Sequence, residues 1–179
     1  MLAWIVPESS SAPATREAPT EGILGAITMG THRTFEHDPR FGLSVLSEIA
    51  SRALSPAVND PGTAIDVIGR GVRSLTCWGQ PPSSQPDAEP DCRRVYVQCL
   101  DVDDLFDDFF GPIARDGAGL LEVDMRMTKA LLSLAEINPT LFKPAASRHA
   151  ARLLGYAQNA LGLDEDKRRL RELAQPLLR

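Results

Sequence analysis

Apolar side chains recur at helical period along most of this chain, and the breaks between them fall at proline and glycine. Leu43, Leu46, Ile49, Ala50, Ala53 and Leu54 form one stripe, and Ser44, Ser47, Glu48 and Ser51 take the opposite face. Asp38 before Pro39 reads as an N-cap followed by a first helical residue, where the missing proline N–H costs nothing. Pro56 pushes Ser55 out of the α region and stops this helix near Leu54. "NDPGT" repeats the device with Asp60 and Pro61, and Ala64, Ile65, Ile68, Val72 and Leu75 make the second stripe, which Gly79 ends. Gly69 and Gly71 each weaken that helix by about 1 kcal/mol relative to alanine, which points to a close approach by another helix.

Further along, Asp101 caps a helix holding Leu105, Phe106, Phe109 and Phe110, with a kink or an end at Gly111-Pro112. Gly119 to Ile137 is amphipathic and stops at Asn138-Pro139; Pro144 opens another helix, to about Gly162. Asp164 caps a last one, with Leu170, Leu173 and Leu177 on one face. Thr20 is placed to cap a short helix over Glu21–Met29. Leu2–Val6 and the alternating Val95, Val97 and Cys99 are strand candidates that could pair. Glu8–Pro19 and Gln80–Asp91, the latter with four prolines, read as loops.

The pattern predicts a mostly α fold, a bundle of about six or seven helices around an antiparallel αα-hairpin, with at most a small two-stranded sheet. It forms one soluble domain over 1–179: strand and loop (1–19), the Asp-Pro helices (20–79), a flexible loop (80–92), and strand plus C-terminal helices (93–179). Leu105, Phe106, Phe109 and Phe110 span roughly 140° of helix surface, wider than the minimal core stripe of about 100°. Unless the core wraps it fully, one edge of that arc stays exposed, and with the free edge of the first strand it favours a homo-oligomer, most simply a two-fold dimer.

Composition narrows the function. Hydrophobic residues are 43% and charged residues 24%, enough for one core, and the net charge of −5 argues against a nucleic-acid partner. No apolar run reaches the roughly 20 residues a membrane span needs. The abrupt opening at Leu2 is read as a piece of a longer protein. The three cysteines, Cys77, Cys92 and Cys99, are odd in number and contain no C-x-x-C, so they are read as reduced thiols.

The candidate chemistry lies around "RALSPAVNDPGT". Arg33, Asp38, Arg52, Ser55, Asn59, Asp60 and Thr63 would form one polar site if the fold brings the two Asp-Pro turns together. Two arginines and two helix N-termini would suit a small anionic ligand. The competing reading gives each residue a structural job: Asp38 and Asp60 cap, Ser55 and Asn59 satisfy a partly buried link carrying Ala57 and Val58, and Arg52 pairs with Asp60 or Asp38. His32, Glu36 and His37 do not make a metal site, because Pro39 starts the helix after them. The aspartates of "DVDDLFDDFF" lack the glycine and final glutamate of a calcium loop and are read as a solvated face. No cofactor is expected.

The run "RTFEHDPRFGLSVLSEIASRALSPAVNDPGTAID" resembles a family of predicted bacterial membrane proteins of unknown function. Arg33, Thr34, Asp38, Arg52, Ser55, Pro56, Asn59, Asp60, Pro61, Thr63 and Ala64 carry the pattern; His37 stands where a glutamine is expected. The resemblance implies N-terminal membrane helices beyond this chain, anchoring in the bacterial inner membrane, and a soluble domain, placed in the cytoplasm. It implies no activity. The expected role is regulatory, ligand-binding or assembly-related; the alternative is an enzyme using the Arg/Asp/Asn cluster on a small polar or anionic substrate.

Overall fold

The structure, a computed structural model, describes residues 3–5, 24–25, 31–35, 38–80, 95–97 and 99–179. Its elements are β1 (Ala3–Ile5), α1 (Pro39–Ala53), α2 (Pro61–Gly79), β2 (Val95–Val97), α3 (Val102–Asp116), α4 (Leu121–Ile137), α5 (Pro139–Ala160) and α6 (Asp164–Ala174), closed by a 3-10 turn over Gln175–Leu177. The mostly α expectation holds. The two strands pair antiparallel, with Trp4 opposite Tyr96. Leu24 and Gly25 are helical; the rest of the helix expected over Glu21–Met29, the loop over Glu8–Pro19 and nearly all of that over Gln80–Asp91 lie outside the described residues.

Both Asp-Pro starts form as the sequence predicts. Asp38 accepts a hydrogen bond from the Phe41 N–H (2.9 Å) and Asp60 from the Thr63 N–H (3.0 Å). The device is used a third time. Asn138 accepts from the Leu141 N–H (3.1 Å), Pro139 starts α5, and the Asn138 amide donates to the Gly79 carbonyl (2.9 Å), tying the ends of α2 and α4 together. The start of α5 is therefore Pro139, and Pro144 lies inside the helix. Pro112 likewise lies inside α3, which runs on to Asp116. An interior proline costs about 3 kcal/mol. Buried Phe109 and Phe110 before it and Ile113 and Ala114 after it hold the helix continuous. At the last helix Leu163 occupies the cap position without a side-chain bond, and Asp164 is the first helical residue.

The core gathers Phe106, Phe109, Phe110 and Phe142 with Ile68, Leu75, Leu131, Leu134 and Leu153, all essentially inaccessible. The wide arc on α3 has no exposed edge, contrary to expectation. α3 packs against both α1 and α5, and a helix held between two neighbours needs an apolar face wider than a surface helix does. Gly71 of α2 explains itself against the same helix: a Cβ there would stand 2.1 Å from Phe109 Cζ of α3.

Candidate functional site

The link between α1 and α2 is a self-satisfied turn. The Asp60 N–H donates to the Ala53 carbonyl (2.8 Å), bringing the start of α2 onto the end of α1. The Asn59 and Val58 N–H groups donate to the Ser55 carbonyl (2.8 and 3.0 Å), and the Ser55 hydroxyl to the Arg52 carbonyl (2.7 Å). Asn59 has φ 50°, a left-handed conformation that asparagine tolerates better than most residues. Because backbone groups satisfy one another, the link needs no burial: Ala57 and Val58 are exposed, contrary to expectation.

The Asp-Pro turns do not come together. Fifteen residues of α1 separate Asp38 from the corner, about 22 Å at 1.5 Å per residue. The start of α2 meets the end of α1, and Ser74, late in α2, lies beside residues 42–49 in the middle of α1, so the helices are antiparallel. The seven candidates divide into Arg33 with Asp38 at one end and Arg52, Ser55, Asn59, Asp60 and Thr63 at the other. Arg33 pairs with Asp38 (2.5 Å) and lies over the Phe41 ring (4.8 Å). Arg52 has neither expected carboxylate partner among the described residues. Hydrogen bonds from the Thr63 hydroxyl (2.5 Å) and Thr63 N–H hold the Asp60 carboxyl below its usual range. Those partners are what a cap supplies, so Asp60→Ala should lower the melting temperature and Asp60→Asn should lower it much less. Equal losses in the two variants would mean that the charge matters.

Sequence reasoning missed a polar seam along α3. Its aspartates do not form a merely solvated face; they bridge to both neighbouring helices. Arg40 of α1 binds Asp104 (2.6 Å) and Asp108. On the other side Arg148 binds Asp103, and Arg152 binds Asp107 (3.1 Å). The signal was available: Asp103/Asp107 and Arg148/Arg152 share a spacing of four, so matched faces were readable. Each such exposed pair contributes about 0–1 kcal/mol, so the seam sets register more than stability.

His149 is buried beside Asp107 (Nε2 to Oδ1 3.4 Å), its ring against Phe106 and Phe110. Burial pushes its pKa down, and the neighbouring Asp107 charge only partly opposes that. Two serines near the seam do not meet it: Ser47 donates to the Phe109 carbonyl (3.0 Å) and Ser44 to the Arg40 carbonyl (3.0 Å), while the buried Ser51 Oγ has no partner. The hydroxyls joined to a base are Thr63, on the Asp60 cap, and Thr31, on its neighbour His32; both pairs are exposed. The described residues hold no group of three His, Cys, Asp or Glu side chains able to share a metal. His32 bonds Thr31 (2.9 Å); Glu36, His37 and Cys92 lie outside the described residues.

Two features remain. Asp124 of α4 is 1% exposed, and its Oδ2 has no hydrogen-bond partner. Burial, with the Glu122 charge adding to it, pushes its pKa up to about 8. On the other side, Phe35, Pro39, Gly42, Leu43, Val45, Leu46, Ile49 and Ser74 enclose an open groove of about 490 Å³ between α1 and α2. Phe35 and Ile49 stand exposed at 62% and 45%.

Among the described residues no helix is long and apolar enough to cross a membrane. No solved structure matches the chain. Over 68 residues it is 40% identical to the uncharacterized proteins Mb1321c of Mycobacterium bovis and Rv1290c of Mycobacterium tuberculosis. Those residues are 38% of this chain and 13% of each relative. The family described as "Predicted membrane protein (DUF2254)" matches residues 1–133. The chain belongs to this family of predicted membrane proteins.

Proposed function

We propose that this chain is an assembly domain of a bacterial inner-membrane protein, on the cytoplasmic side, and that it pairs with a second copy through the groove between α1 and α2. The observation that carries the reading is the groove itself. The core is closed, yet Phe35 and Ile49 stand out beside a concavity floored by Gly42 and Leu43. One surface therefore offers both the projecting side chains and the recess that receives them, as a two-fold interface requires. Exposed apolar surface of this kind marks contact sites.

The enzyme reading has less support. The Arg/Asp/Asn set on which it rested is divided between the two ends of α1, and Ser44 and Ser47 near the α3 seam are bonded to backbone carbonyls. An anionic ligand at the Arg33 end is also less favoured, because Asp38 occupies Arg33.

Light scattering at micromolar concentration tests the pairing. A species of twice 19.4 kDa is expected, and Ile49→Asp should reduce it to a monomer with little change in folding, since Ile49 is not in the core. A monomeric wild type, or an Ile49→Asp variant that still dimerises, would overturn it.

A further inference from the structure

Gly69 lies in the middle of α2, packed under a side chain of another helix. The point where its Cβ would stand is 3.0 Å from Arg126 Nη2 of α4 and 3.8 Å from Arg73 Nη1 of α2 itself. Two guanidiniums from different helices therefore meet over one bare stretch of helix. Among the described residues neither has a carboxylate partner within 4.0 Å, although most other arginines do: Arg33, Arg40, Arg70, Arg115, Arg148, Arg152 and Arg168 are all paired. Both side chains are exposed, and Lys129, also exposed, follows Arg126 by one turn of α4. Like charges held together repel, and an anion between them turns that repulsion into attraction.

From this convergence we propose that Arg73 and Arg126 form a binding site for a phosphate group, with Gly69 as its floor. The planar guanidinium fork matches phosphate oxygens two at a time, and two forks from different directions can hold one tetrahedral anion. The glycine contributes by absence: without a side chain at 69, the Arg126 guanidinium settles against the helix at the point that Arg73 also approaches. The phosphate can be free in solution or the headgroup of an anionic lipid. Neither arginine lines the groove at Phe35 and Ile49, so the phosphate site is tested apart from the pairing.

The test measures binding of inorganic phosphate by calorimetry, and of vesicles by flotation, using phosphatidylcholine alone and phosphatidylcholine mixed with phosphatidylglycerol. Arg73→Gln and Arg126→Gln should each weaken binding about tenfold, as expected for a lost charge-assisted hydrogen bond. Gly69→Ala is the decisive variant. It keeps every charge and displaces only the end of a flexible side chain, so the protein should stay folded while binding weakens. Arg168→Gln, on α6, should change nothing. Loss confined to inorganic phosphate identifies a soluble ligand; loss confined to the mixed vesicles identifies a lipid headgroup. Binding to neither probe, or binding that follows net charge and ignores Gly69→Ala, would overturn the proposal.

Discussion

Gly71→Ala is expected to destabilise the domain by about 2 kcal/mol, an overpacking cost of about 3 less what alanine's helix propensity returns. The added methyl would stand 2.1, 2.3 and 2.7 Å from three atoms of the Phe109 ring. Phe109 is fully buried, its ring meets Phe110 at 4.8 Å, and its carbonyl accepts the Ser47 hydroxyl, so it cannot move aside alone. Alanine's better helix propensity returns only about 1 kcal/mol. Gly155, in α5, is the control, because nothing lies within 4 Å of its added Cβ. Gly155→Ala should gain up to about 1 kcal/mol. Thermal unfolding of the two variants checks the packing: shifts of the same sign would show that α2 does not lie against Phe109 as described.

Asp124 should make stability fall as pH rises from about 4 to about 8. Its carboxyl has an ordinary value of 3.8 and is pushed up to about 8 in the folded protein, burial first and Glu122 second. Below pH 4 it is protonated in both folded and unfolded chains and costs nothing. Above that, the unfolded chain ionises while the folded one does not, so folding loses ground until the folded group ionises too. At about 1.4 kcal/mol per pKa unit the loss at pH 7 has an upper bound on the order of 4 kcal/mol. Asp124→Asn cannot ionise, so it should be more stable than wild type at pH 7 and nearly equal to it at pH 4. Urea unfolding across this range decides it. Parallel curves for the two proteins would mean that water or a cation reaches the carboxylate.

What the sequence made legible follows from range. Asp38-Pro39 and Asp60-Pro61 are local devices, complete within four residues, and both form as read. Gly71 was legible as a close approach because only tertiary packing explains a glycine inside so apolar a stripe. Pro144 as a helix start, and an end at Pro112, misled for the opposite reason. Their local cost is real, but buried neighbours on both sides keep the helices continuous. The phenylalanine arc appeared too wide only because α3 has two flanking helices, which no local pattern reports. Ala57 and Val58 looked buried from polarity alone; the turn's own hydrogen bonds removed the need.

The candidate site was less legible still. Residues close in sequence, from Arg33 to Thr63, were separated by the length of α1. Residues far apart, Arg73 and Arg126, were brought together across α2 and α4. Asp124 falls in line with Leu120, Leu121, Met127 and Leu131 at helical spacing, so its burial was legible as a carboxyl on an apolar face.

The central claim is that the α1–α2 groove is the contact surface and the Ser55–Thr63 corner is structural. Amide hydrogen exchange at low and high protein concentration tests it most directly. Segment 42–49 should gain protection as concentration rises, with residues 54–63 unchanged. No concentration dependence in 42–49, or protection that appears at the corner instead, would contradict the account.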